Sequence, residues 1–125
     1  MTKNIENRNM KLMEDIISYL QKQGMFDAVY LYVNGHRYSN EKKSDTDIEK
    51  VTKYGTYYDN GEYDVTEYIK YNNPEILTMA FAGLLYEEYN GNYGSYKAEN
   101  DIRKICEKYG LYPEQGYAWS LAVYE

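Results

Sequence analysis

The sequence predicts an α+β domain: a mostly antiparallel sheet of four to five strands with two main helices on one face. Three features point there. Apolar residues recur at helical spacing in residues 10–23 and again in 96–109. Asn34-Gly35 divides two β-prone runs. Apolar residues alternate in 75–82 and 117–124. Each helix has a single apolar stripe, so both belong on the same side of the sheet.

In the first helix the stripe is Met10, Met13, Ile16, Ile17 and Leu20, with Gly24 as the stop. Residues 1–8 are polar and are expected to fray. Ala28–Val33 and His36–Ser39 then form a hairpin, because a type I′ turn needs positive φ at both central residues and Asn-Gly tolerates it. A two-residue turn sets Val33 against His36, Tyr32 against Arg37 and Leu31 against Tyr38. Alternation sends Val29, Leu31 and Val33 to the core and puts Tyr30, Tyr32 and Arg37 together on the opposite side.

Residues 40–50 are charged and lack periodicity, and they read as an exposed loop or a flexible excursion. A strand over 51–58 and a turn at Asp59-Asn60-Gly61 follow. Residues 62–69 fit either a strand or a short helix capped by Asp64, and Asn72-Asn73-Pro74 breaks the chain. Residues 75–82 are apolar on both sides, as in a central strand. A short helix is expected over 84–90. The second long helix has Ala98, Ile102, Ile105, Cys106 and Tyr109 as its stripe, Ser95 as N-cap and Gly110 as stop. The last strand alternates Tyr117, Trp119, Leu121 and Val123 with Ala118, Ser120 and Ala122, whose small side chains would let a helix approach.

All 125 residues fit one domain. Eighteen are tyrosine, against two Phe and one Trp, so tyrosines must help to build the core. The net charge of −6 divides unevenly: residues 1–62 hold nine basic and ten acidic groups, residues 63–125 five and ten. Such a surface repels phosphate backbones, which disfavours direct nucleic-acid binding. It suits a basic protein, or mimicry of nucleic acid before a DNA-acting enzyme, with Glu87, Glu88 and Asp101 as the acidic-surface candidates. The first fifteen residues lack a signal-peptide core, and no run is apolar enough to span a bilayer. Cytoplasmic residence without membrane attachment is the expectation.

Motifs for chemistry are weak. His36 is the single histidine, with no acidic neighbour in sequence to orient it. Cys106 lies mid-helix on the apolar stripe, where a thiol acts as a small hydrophobe. Neither Asp45-Thr46-Asp47 nor Asp59-Asn60-Gly61-Glu62 completes a calcium loop. Glu87 and Glu88 are sequence neighbours that point apart on a helix. Gly91-Asn92-Tyr93-Gly94 lacks the further glycines and the lysine of a phosphate loop. No catalytic residue, metal or cofactor is expected. The tyrosines remain, since rigid aromatic side chains lose little entropy on binding. Tyr30, Tyr32, Arg37 and Tyr57 are the protein-binding candidates. Trp119 offers a sugar-stacking alternative, and a free sheet edge or aromatic face makes a homodimer a further expectation.

Asn, Lys, Ile and Tyr supply 48 residues, all from AT-rich codons. The tail Tyr109-Gly110-Leu111-Tyr112, Gln115-Gly116-Tyr117-Ala118-Trp119-Ser120-Leu121 and the segment Asn73-Pro74-Glu75-Ile76-Leu77-Thr78-Met79 resemble small uncharacterised acidic proteins from mobile elements of low-GC gut bacteria. The resemblance implies phage, plasmid or integrative-element biology and assigns no activity or site residue. The leading expectation is a non-enzymatic accessory or inhibitory factor that binds a protein.

Overall fold

The computed structural model describes residues 2–125. These form three α-helices, a short 3₁₀ helix and one seven-stranded antiparallel sheet. In chain order they are α1 (Lys3–Lys22), β1 (Val29–Val33), β2 (His36–Ser39), β3 (Ile48–Thr52), β4 (Gly55–Glu62), the 3₁₀ helix (Val65–Glu67), β5 (Leu77–Phe81), α2 (Gly83–Tyr89), α3 (Lys97–Glu107), β6 (Tyr112–Gln115) and β7 (Ser120–Tyr124). The strand order is β3-β4-β2-β1-β5-β7-β6, which places β1 at the centre, β5 in the interior beside it, and β3 and β6 at the edges. The α+β class holds, with seven strands rather than four to five, and α2 is the short helix expected over 84–90 beside the two main ones.

Two strands were hidden in the sequence. The charged stretch around Ile48–Thr52 pairs with β4 as an edge, where exposed charges are tolerated. Tyr112–Gln115 is an edge strand containing Pro113, and a proline argues against a strand when read alone. Helix α1 also begins earlier than its apolar stripe. Thr2 caps it, its Oγ1 accepting the Ile5 N–H at 3.2 Å. The first turns then dock on the β1–β2 turn, where Asn34 Nδ2 donates to the Glu6 carbonyl at 3.1 Å and Asn9 Nδ2 donates to Asn34 Oδ1 at 3.2 Å. Asn34 therefore provides the left-handed turn conformation (φ 52°) and an anchor for α1.

All three helices pack on one face of the sheet. Leu12, Met13, Ile16, Ile17 and Leu20 of α1, Leu85 of α2 and Ile102 and Cys106 of α3 meet Leu31, Val33, Leu77, Met79, Leu121 and Val123 in one core. Each such aliphatic side chain contributes about 1.5–3 kcal/mol by leaving water. The β1–β2 register is the one expected, Leu31 with Tyr38, Tyr32 with Arg37 and Val33 with His36. The small residues of β7 do not face the helices. Ser120 and Ala122 pair with Ala80 and Thr78 on the opposite face. The buried Ser120 and Ala122 lie on the face that holds the second cluster of Tyr32, Val65 and Ile69.

Asp59-Asn60-Gly61 is a bulge inside β4 instead of a turn. Tyr38 pairs with Asp59 but His36 with Glu62, so β4 has one extra residue there. Gly61 takes φ 95° and its N–H bonds Asp59 Oδ1 at 2.9 Å, turn chemistry used within a strand. The bulge sends Asp59 to one face and Asn60 to the other.

Candidate functional site

The helix-free face gathers the predicted group. Arg37 lies over the rings of Tyr30 (4.9 Å) and Tyr63 (4.1 Å), held by a bond from Nε to Asn60 Oδ1 at 3.2 Å. Asn60 is the hub of this face. Its Oδ1 also accepts from Ser39 Oγ (2.8 Å), and its Nδ2 donates to the Glu41 carbonyl (3.0 Å) and Asp47 Oδ2 (2.8 Å). Residues 40–47 therefore form a largely exposed loop that these bonds tie to the sheet, the first of the two forms that composition allows. The Lys43 N–H on Asp47, backed by Asn60 and Ser44, holds the Asp47 carboxyl below the usual carboxylate range.

Two of the four protein-binding candidates are not on the surface. Tyr32 is 8% exposed, because the crossover from β4 to β5 passes over it. Tyr68 stacks on its ring at 6.4 Å, Tyr63 meets it edge-on at 6.5 Å, and Val65 and Ile69 complete the cover. Tyr57 is 1% exposed and lies on the helix side. Its ring packs 6.2 Å from Tyr38, and its hydroxyl donates to Glu14 Oε2 of α1 at 3.2 Å. Tyr30 and Arg37 are half-buried.

Two of the acidic candidates are tied to neighbouring side chains. Asp101 accepts from Lys97 Nζ at 2.6 Å and from the Tyr19 hydroxyl at 2.8 Å, and the Lys97 bond leads in lowering its pKa. Glu87 accepts from Asn92 at 2.8 Å. Glu88 borders a depression of about 150 Å3 with Tyr19 and Lys97. All three carboxylates are half-buried.

A different set is displayed. Where the crossover meets the β6–β7 turn, Tyr71, Tyr117 and Trp119 form an aromatic ledge, 46%, 36% and 39% exposed. Tyr117 and Trp119 stack nearly parallel (4.8 Å, 9°), and Tyr71 tilts against Tyr117 at 5.1 Å. Gly116 makes this possible, since a Cβ there would lie 2.7 Å from the Tyr71 Cβ. Tyr68 is exposed beside it in sequence. The signal in the sequence was Gly116 followed by two aromatics. What sequence could not supply was Tyr71, which arrives from 45 residues away in the chain.

His36 does have an acidic partner. Its Nδ1 sits 2.9 and 3.1 Å from the two oxygens of Asp59, brought across by the bulge. The pair is an oriented acid/base unit beside a cleft of about 610 Å3 at the β1–β2 turn. The cleft lining contains no serine, cysteine or lysine to serve as a nucleophile. Cys106 is fully buried, and burial pushes its thiol up to about 12. Among the described residues no group of three His, Cys, Asp or Glu could hold a metal, and no helix is long and apolar enough to cross a membrane. Compared with family models, curated proteins and solved structures, the chain matches none.

Proposed function

We propose that this chain is a non-enzymatic binding protein, an accessory or inhibitory factor of a mobile element, that engages a basic protein partner through the ledge of Tyr71, Tyr117 and Trp119. The observation that supports it is the ledge itself. It sets three aromatic rings together at the surface, with Tyr117 packed against both Trp119 and Tyr71. Aromatic rings anchor interfaces at low entropic cost, and their faces attract Lys and Arg side chains. Exposed Glu67 and Glu114 lie close to the ledge in sequence and would suit a basic partner, which would have to displace or pass Lys70, whose Nζ lies 5.4 Å over the Tyr71 ring.

The arrangement gives less support to the other readings. In a nucleic-acid mimic Asp101 would need to be unpaired, whereas Lys97 holds it. A sugar platform needs free ring faces, and the parallel stack covers one face each of Tyr117 and Trp119. The test is affinity capture from the native host with wild type and with Tyr117→Ala/Trp119→Ala. We expect a basic protein to be retained by wild type and lost at least tenfold from the double variant, the scale of removing about 2 kcal/mol of hot-spot contact. Equal recovery of the same partner by both forms would refute the assignment.

A further inference from the structure

The two edges of the sheet are built differently, and the difference identifies a second interface. At β6 the Gly116 N–H bonds the Ser120 carbonyl at 3.1 Å. Antiparallel pairing alternates, so Glu114 and Tyr112 also turn their main-chain groups toward β7, and Pro113 faces outward. That edge is blunted, because its central position has no N–H to offer.

The β3 edge has no such guard. It contains no proline and no bulge against β4. Thr52 and Gly55 close a two-residue turn and so must exchange both of their hydrogen bonds. Thr52, Lys50 and Ile48 then bond inward to β4, and the N–H and C=O groups of Glu49 and Val51 point to open solvent. Val51 is 69% exposed, the most exposed large apolar side chain among the described residues, and Ile48 is also exposed.

We infer that β3 pairs antiparallel with β3 of a second copy of this chain, on a two-fold axis through Val51. Only Glu49, Val51 and their alternate neighbours can form the hydrogen-bonded pairs, so the axis passes through a residue, and the interior of β3 offers three, Glu49, Lys50 and Val51. An axis at Lys50 sets two lysines opposite each other, and an axis at Glu49 sets two carboxylates opposite each other. The axis at Val51 instead joins Val51 to Val51 and Lys50 to Thr52, and it brings Glu49 opposite Lys53, the first residue of the partner copy's β3–β4 turn, twice over. Like charges directly opposite destabilise a ladder and opposite charges stabilise it, so charge selects this register. Within its own sheet Glu49 accepts from the Tyr58 hydroxyl of β4 at 3.3 Å. The interface is independent of the aromatic ledge, so either can fail without the other.

Sedimentation velocity over a wide concentration range reads the result. The wild type is expected to form a dimer. Lys53→Glu should weaken it roughly tenfold, because two attractive pairs become repulsive, and Glu49→Lys/Lys53→Glu should restore it. Val51→Pro should abolish association while leaving circular dichroism unchanged, since it removes an outward N–H that β4 does not use. A chain that stays monomeric throughout, a dimer indifferent to Lys53→Glu and Val51→Pro, or a charge swap that fails to restore association would each overturn the proposal.

Discussion

Tyr57 and Tyr58 are adjacent and chemically identical, yet one is enclosed under α1 and the other reaches Glu49 on the far face. Strand parity decides between them, and parity depends on pairing partners the sequence did not disclose. Replacing Tyr57 with Phe removes only the bond to Glu14 and should cost about 0.5–1.5 kcal/mol. Replacing it with Ala opens a cavity between α1 and β4 and should cost about 3–5 kcal/mol. Urea midpoints of the two variants separate these contributions, and equal losses would show that the hydroxyl carries most of the residue's worth. Cys106 is the opposite case, readable from its position on the helical stripe. With its thiol raised by burial, it should resist a thiol reagent in the native state at mildly alkaline pH and react fully once unfolded.

Turn residues at the scale of elements proved ambiguous in one place and decisive in another. Asn34-Gly35 sits between two β-prone runs, so a two-residue turn and its register follow directly. Asp59-Asn60-Gly61 has the same composition, but a bulge and a turn both want a left-handed glycine and an Asp that bonds forward. Local chemistry cannot choose between them. The choice depends on β2 continuing alongside, which is non-local. The side taken by the crossover was equally illegible, and it is what buried Tyr32 and assembled the ledge. The bulge also makes Asn60 available to Arg37, Ser39 and the 40–47 loop. Asn60→Ala should therefore cost about 1–3 kcal/mol and release that loop. Limited proteolysis should then cut within residues 40–47 before global unfolding, and a loop that stays resistant would show that Asn60 is not its anchor.

The abundance of tyrosine and the acidic charge are linked across the whole molecule. Tyr19 donates to Asp101, Tyr57 to Glu14, Tyr58 to Glu49 and Tyr109 to Asp15, so several tyrosines act as staples that join one element to a carboxylate on another. Part of the tyrosine excess is thus structural. This design has a consequence for pH. Burial and the neighbouring carboxylate push Tyr109 up to about 12, and Tyr19, Tyr38, Tyr57 and Tyr89 are raised further, chiefly by burial. In the unfolded chain these groups ionise near 10. Below that pH both states hold the proton and the full stability is present. Above it the unfolded chain loses protons that the folded one keeps, so stability must fall as pH climbs from 10 through 12. Urea midpoints measured across that window should drop steeply. Because one core runs from α1 to β7, Trp119 fluorescence and far-UV circular dichroism should report the same midpoint at each pH. A midpoint that stays level through the window would mean that the tyrosine hydroxyls are solvated, and two separate transitions would mean that the sheet does not unfold as one unit.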